Sequence, residues 1–381
     1  MFYKIKVVVV CICFLFGLCG CRSDSKESIS YQEGQSQYKI VLLGKESYVY
    51  SDIGLINGID MAIEELKGTV DITWEHYDDN GDYEKGLLYG EQLAKDNSVL
   101  AVFTFQDFEV VEALASRFHE EKKPLISVQG CYESTLQKGY DYFFSAFTSA
   151  EDMGVAMGQY CKLKGVSNVA CSHSDTTFEL DEMRGFQREA NKNSVRVADM
   201  IQGPNTMTEL QNVYYTWKQL GVDAIYLAHY TYSNTEWMLQ MIDYIRSKDP
   251  NILIMSDYSL NNEETLEAYG DALEGVVIPA PYSIQENEKM GEFREKYESK
   301  YKKSMSNVAV QGYDLIHMFG KFVKEGKITG EAIVSQMKSK EGYQGVTGTI
   351  QFSETGKLLG IPTQYLVVKD KRFVTVDTNE E

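Results

Sequence analysis

The chain has 381 residues, 43% of them hydrophobic, and 56 Asp and Glu outnumber 37 Lys and Arg for a formal net charge of −19. That length is long for one hydrophobic core and suits two lobes. So acidic a surface repels phosphate backbones and anionic headgroups, which excludes nucleic acid as a partner and a polybasic membrane contact.

Lys4 and Lys6 precede the apolar run Val7 to Leu18, which ends in Leu18-Cys19-Gly20-Cys21. About twelve apolar residues at ~1.5 Å each are too few to cross a bilayer. Residues 1–20 therefore read as a cleaved export signal ending in a lipoprotein box, with a diacylglycerol expected on the thiol of Cys21. A cut elsewhere, or an uncleaved anchor, is the alternative. Losing Lys4 and Lys6 would leave 35 basic against 56 acidic residues, a balance of −21. Residues 22–37 (RSDSKESISYQEGQSQ) hold almost nothing that could enter a core. They read as a tether, whose ~16 residues reach roughly 22 Å by random-coil scaling. The protein is thus expected outside the cytoplasm, held by lipid to the cell membrane, facing either a periplasm or the outer side of a single membrane.

From Tyr38 onward, short β-branched runs alternate with helical stretches. Strands are predicted at 38–43, 70–77, 100–103, 124–128 and 142–147, with helices at 54–66, 83–95 and 110–121 between them. The rhythm restarts with helices at 153–164, 182–191, 208–220 and 237–245 and strands at 168–172, 195–201, 224–228 and 252–256. A return begins at 275–279, followed by helices at 286–301, 309–325 and 330–338 and late strands at 348–352 and 364–369. Alternation at this pitch implies βαβ crossovers and two mainly parallel sheets, each covered by helices on both faces.

Four of the seven cysteines fall in the signal and lipobox, leaving Cys131, Cys161 and Cys171. An odd set gives no disulfide framework. Cys161 and Cys171 could pair across a helix-to-strand turn, or all three could be buried free thiols. The five histidines stand far apart, so no metal site and no cofactor is implied. There is no glycine-rich phosphate loop, no G-x-S-x-G elbow and no H-E-x-x-H helix, so no catalytic residue is assigned and the chain reads as a non-enzyme.

Several segments, taken together and in order, resemble one family. They are Gly44, Asn57-Gly58 followed by Met61-Ala62, the run Tyr77 to Asp82 (YDDNGD), Lys123 to Ser127 (KPLIS), Gly312-Tyr313-Asp314 and Gly345 to Phe352 (GVTGTIQF). Over roughly residues 38–376 the chain resembles the extracellular substrate-binding proteins of branched-chain amino acid ABC importers. The resemblance implies the type I periplasmic-binding-protein fold: α/β, with two Rossmann-like lobes of parallel sheet joined by three crossovers. It places the crossovers near 147–150, 273–275 and 348–352. The lobes would then comprise 38–147 with 276–348 and 148–275 with 349–376, leaving a tail at 377–381. It also implies a monomer that captures a small amino-acid-like or amide-like ligand and delivers it to ABC permease subunits. A sensor of the same fold, signalling to a membrane kinase or chemoreceptor, is the alternative.

Ligands of open parallel sheets sit beyond the carboxyl ends of the strands. The strand-end positions taken as ligand-binding are Tyr50, Asp107, Phe108, Gln129, Cys131 and Tyr132 in the first lobe and Phe178, Tyr230 and Asp257 in the second, with Tyr48, His229 and Tyr232 nearby. Most offer flat aromatic walls. In the relatives, small hydroxyls and helix-terminal amides are expected to hold a ligand carboxylate, and an aromatic with an acidic group its ammonium. This chain departs from that pattern with Asp107-Phe108 and with Cys131 or Tyr132. Asp107 is expected either to cap the helix that begins there or to face a cationic or amide-bearing solute, helped by Asp257.

Overall fold

The computed structural model describes residues 38–50, 53–229, 235–261, 263–281, 287–361 and 363–376. Residues 1–37, on which the expected signal, Cys21 and tether fall, residues 377–381, and Tyr230 and Tyr232 lie outside the described residues. Five strands, β1 (Tyr38–Leu43), β2 (Ile72–Tyr77), β3 (Val99–Thr104), β4 (Leu125–Ser127) and β5 (Phe143–Ser145), form one sheet in the order β2-β1-β3-β4-β5. Every pairing in it is parallel. A parallel sheet is covered on both faces, so both side-chain sets must be apolar. Ile40, Leu42 and Phe103 point to a core shared with helices Ile53–Leu66 and Asn307–Lys324, while Val41, Leu43 and Val102 join Leu114 and Phe118 of helix Phe108–Glu120 on the other side.

The second sheet takes β6 (Asn168–His173), β7 (Arg196–Gln202), β8 (Ala224–Ala228), β9 (Leu253–Ser256) and β10 (Val277–Ala280) in parallel. A small antiparallel sheet follows in the chain, β11 (Tyr343–Gln344), β12 (Thr349–Phe352) and β13 (Leu358–Leu359). Finally β14 (Gln364–Lys369) and β15 (Arg372–Thr375) extend the second sheet antiparallel, giving the order β15-β14-β10-β9-β8-β6-β7. Helices Ala150–Leu163 and Thr177–Lys192 cover one face of this sheet, and Met207–Gln219 and Thr235–Lys248 the other.

Two of the expected lobe boundaries move. β10 pairs with β9, so the run to Ala280 belongs to the second sheet, and the chain returns to the first lobe only with helix Glu288–Tyr301, whose Met290, Phe293 and Tyr297 pack on Met61, Ala309 and Val310. Likewise Ile350, Phe352 and Leu358 are buried in the first lobe's core, with the Phe352 ring edge-on to Phe144 at 5.2 Å, so the last crossing falls between β13 and β14 rather than at 348–352.

The motifs behind the family resemblance have packing roles. Helices Ile53–Leu66 and Asn307–Lys324 cross so closely that a Cβ on Gly58 would lie 1.9 Å from the Ala309 carbonyl oxygen, and one on Gly312 2.4 Å from that of Leu55. Only glycine permits that approach. The buried Asp314 carboxylate accepts from the Val346 amide (2.8 Å), the Thr347 amide (3.0 Å) and the Thr347 hydroxyl (2.6 Å), which pins the GVTG turn to the helix. Cys131, Cys161 and Cys171 are free and buried, so Cys161 and Cys171 are not paired. Among the described residues, no helix is long and apolar enough to cross a membrane.

Candidate functional site

The first and second sheets each end, at their carboxyl edge, in loops rich in aromatic and acidic residues. The two lobes touch there. The Glu133 amide donates to Asp181 Oδ2 at 3.4 Å, and Lys357 Nζ lies 2.8 Å from Asp152 Oδ2 and 3.5 Å from Glu133 Oε2. Asp181 is also paired with Arg184 at 2.7 Å.

On the first lobe, Phe108 and Tyr132 meet edge to face with ring centroids 5.0 Å apart. The Tyr132 hydroxyl donates to Glu109 at 2.6 Å, and burial, with the Glu109 carboxylate second, pushes its pKa up to about 12. Tyr50 is exposed and rests edge-on against His76 at 5.5 Å, while His76 Nε2 lies 2.9 Å from the Gly44 carbonyl oxygen. Gln129 is half-buried on the loop that carries Tyr132.

Asp107 stands at the N-cap position of helix Phe108–Glu120, but its side chain makes no capping bond and is exposed. The capping role is therefore not realised, and the carboxylate faces outward at a helix end whose macrodipole favours negative charge. Cys131 also departs from expectation. Gly130, at φ +103°, turns the chain so that Cys131 enters the core with Leu114, Leu136 and Phe143. Burial pushes its thiol up to about 12.

On the second lobe, Tyr258 follows β9 and lies between two other rings, Phe178 at 5.9 Å and Phe147, at the first crossover, at 5.8 Å. Beside it, Asp257 is completely buried: Oδ1 accepts from the Ser259 amide at 2.7 Å, and Oδ2 has no partner. Burial above all raises its carboxyl to about 7. His229 is held between the hydroxyls of Ser172 (Nε2, 2.6 Å) and Ser174 (Nδ1, 3.1 Å). Because Ser172 donates to the Gly203 carbonyl, Nε2 must carry a proton, and a neutral ring then accepts at Nδ1 from the Ser174 hydroxyl. Burial and the neighbouring His173 lower its pKa to about 4, in agreement.

Sequence reasoning missed Glu179, Glu182 and Tyr226. Both glutamates are fully buried at the start of helix Thr177–Lys192, and the Tyr226 hydroxyl donates to Glu182 Oε1 while Glu182 Oε2 has no partner. Burial first, then the Asp257 carboxylate, raises the Glu182 pKa well above its usual value. The signal was present: Glu179, Glu182 and Phe186 recur at three and four spacing, on the face that packs on the sheet. Gly154 sets this helix in place, since a Cβ there would meet the Glu182 carbonyl oxygen at 1.9 Å.

No group of His, Cys, Asp or Glu among the described residues could hold a metal ion. A hollow of 630 Å³ lies at the opposite edge of the second sheet, around Arg246 and Glu274. Its guanidinium already donates to the carbonyls of Pro250, Ile252 and Glu274, so it offers little to a ligand.

The family model described as periplasmic binding protein matches residues 37–369. Among solved structures, an ABC transporter substrate-binding protein from Desulfitobacterium hafniense in complex with Leu is similar at 18% identity and TM-score 0.78, over 89% of this chain and 99% of that one. A leucine binding protein from Thermotoga maritima is similar at 17% and 0.72, over 89% and 98%. A solute binding protein from Rhodopseudomonas palustris in complex with 3,4-dihydroxy benzoic acid is similar at 18% and 0.72, over 89% and 95%. No curated protein matches the chain.

Proposed function

The chain belongs to the periplasmic binding protein family, and on that premise we propose that it is an extracytoplasmic solute receptor, lipid-anchored through Cys21, that hands a small ligand to an ABC importer. The observation that carries this reading is the meeting of two strand-end edges, with the aromatic set Phe108, Tyr132, Phe178 and Tyr258 distributed over both lobes and cross-lobe bonds from Glu133 and Lys357. A ligand that touches both edges stabilises the closed form by contacts the open form lacks, and a permease can tell the two shapes apart. Similar structures in complex with leucine and with an aromatic acid support a small organic ligand. The lobes turn about the crossing after β5. The sixteen or so residues that follow Cys21 would give the body free rotation above the lipid.

Two measurements test it. Radiolabelled palmitate should enter the wild-type protein in cells and not Cys21→Ser, which should also leave the membrane fraction. Small-angle scattering of the purified protein should show a smaller radius of gyration once a solute that binds by calorimetry is added. A solute that binds without any contraction, or membrane retention of the Cys21→Ser protein, contradicts the corresponding half of the proposal.

A further inference from the structure

Ser174 is the first residue past β6, half-buried at the carboxyl edge of the second sheet, and residues 175–177 after it are exposed. Phe178 comes next, with its ring 5.9 Å from that of Tyr258. His229, the hydrogen-bond partner of Ser174, is tied to the same place. Its amide donates to the carboxylate of Asp257, and the following residue, Tyr258, carries the ring that also meets Phe147 at the first crossover. Ser174 thus stands on the edge that carries the ring set through which the second lobe meets the crossover.

The polar groups of Ser174 are committed in known directions. Its amide donates to the Ala228 carbonyl at 3.1 Å, and its carbonyl accepts from His173 Nδ1 at 2.7 Å. The direction of its hydroxyl is set further back along a chain of bonds. A carbonyl oxygen only accepts, so the Ser172 proton goes to Gly203, and Ser172, with no second proton, must accept from His229 Nε2 at 2.6 Å. The neutral ring then offers a lone pair at Nδ1, and the Ser174 proton fills it at 3.1 Å. Ser172 is completely buried and His229 is 9% exposed, so the inner links are shielded from water. What remains on Ser174 is lone pairs, and among the described residues no other group donates to them.

A surface serine ordinarily rotates its hydroxyl to give or take a bond as the partner requires. Ser174 has lost that freedom. A ligand N–H or O–H meets a prepared acceptor there, whereas a ligand oxygen sets lone pairs against lone pairs and a C–H leaves the serine oxygen desolvated and unpaired.

We infer that the Ser172–His229–Ser174 chain fixes Ser174 as a hydrogen-bond acceptor and makes it a specificity-determining contact, selecting solutes that present an N–H or O–H donor to the second lobe and rejecting isosteres that lack it. This rests on the solute-receptor reading above and names what the ligand must offer.

The test is calorimetry of the purified protein with two pairs matched in shape: leucine against 4-methylpentanoate, which lacks the ammonium group, and 3,4-dihydroxybenzoate against benzoate, which lacks the hydroxyls. In a pair that binds, the donor-bearing member should bind tenfold or more tightly than the other, and Ser174→Ala should cut that ratio several-fold by weakening the donor-bearing member alone. Nitrogen-15 NMR of histidine-labelled, ligand-free protein should show His229 in its Nε2–H form. Ser172→Ala, which removes a wholly buried hydroxyl, should abolish that preference and narrow the same ratio, and the ring's tautomer is a readout that lost packing alone does not move. A ratio unchanged in Ser174→Ala, or an Nδ1–H ring in the wild type, overturns the inference and leaves the receptor reading standing. If neither pair binds, native mass spectrometry after incubation with a metabolite extract decides: a molecule held by the wild type and lost from Ser174→Ala supports the contact, and one held equally by both overturns it. If neither protein holds any molecule, the receptor reading falls and this inference with it.

Discussion

Replacing Asp257 with asparagine keeps the side chain's shape and removes the charge that burial opposes. The carboxyl is raised from 3.8 to about 7, roughly three pKa units, and each unit is worth 1.36 kcal/mol. Forcing ionisation in the folded protein therefore costs on the order of 4 kcal/mol above pH 8. Folded Asp257 holds its proton at pH values where the unfolded chain has lost it, so this group's contribution falls as pH rises from about 4 to 7. His229 runs the opposite way. Its folded pKa is lowered to about 4 from 6.5, so its contribution falls as pH drops through that window. The two oppose each other in the wild type, and the difference between variant and wild type removes the His229 contribution and leaves that of Asp257 together with its influence on Glu182, whose carboxyl Asp257 helps to raise. Urea unfolding followed by circular dichroism at pH 5 and pH 8 should show Asp257→Asn gaining stability over wild type by about 3 kcal/mol between the two. A difference constant within about 0.5 kcal/mol across that range would refute a desolvated carboxyl at this site.

Three further outcomes follow from the geometry. Gly58→Val should cost about 3 kcal/mol or more in thermal denaturation, because its side chain must displace the Ala309 carbonyl by well over an ångström; an unchanged Tm would mean the helices are not in contact. Lys357→Met should remove the ion pairs to Asp152 and Glu133 and raise the open population, seen as a larger ligand-free radius of gyration with little change in stability; an unchanged radius counts against a cross-lobe latch. Tyr132→Phe should lose the bond to Glu109 and cost about 1 kcal/mol in urea unfolding while the ring contact with Phe108 persists; a cost above about 3 kcal/mol would mean the hydroxyl is structurally buried.

Much of this molecule was legible in its residue pattern. The runs YKIVLL and VLAVFT could only be buried parallel strands, and the helices between them show apolar spacing. Membership of the late elements was not legible, because Val277–Ala280 and Thr349–Phe352 look alike as isolated strands. Val277–Ala280 joins the second sheet through Met255, far away in sequence, whereas Thr349–Phe352 pairs with its near neighbours β11 and β13 and belongs to the first lobe through packing, Phe352 against the distant Phe144. At the site, the position of Asp107 at a helix start was legible, but the missing capping bond depends on a side-chain rotamer that no spacing rule encodes. That Cys131 packs with Leu114 and Phe143 was not legible, because the positive φ of Gly130 decides which way the next side chain turns. Glu182 was missed because the predicted helix began there, although the observed one starts at Thr177 and buries its first turn.

The most direct test of a clamp is the distance between its jaws. Spin labels on Lys95→Cys in the first lobe and Lys218→Cys in the second occupy exposed helix positions, and the buried thiols of Cys131, Cys161 and Cys171 should stay unlabelled. Double electron–electron resonance is then recorded with and without each solute that binds by calorimetry. The account predicts a broad or longer distance distribution for the ligand-free protein and a shorter, narrower one on saturation. A bound solute that leaves the distribution unchanged would contradict closure around the ligand.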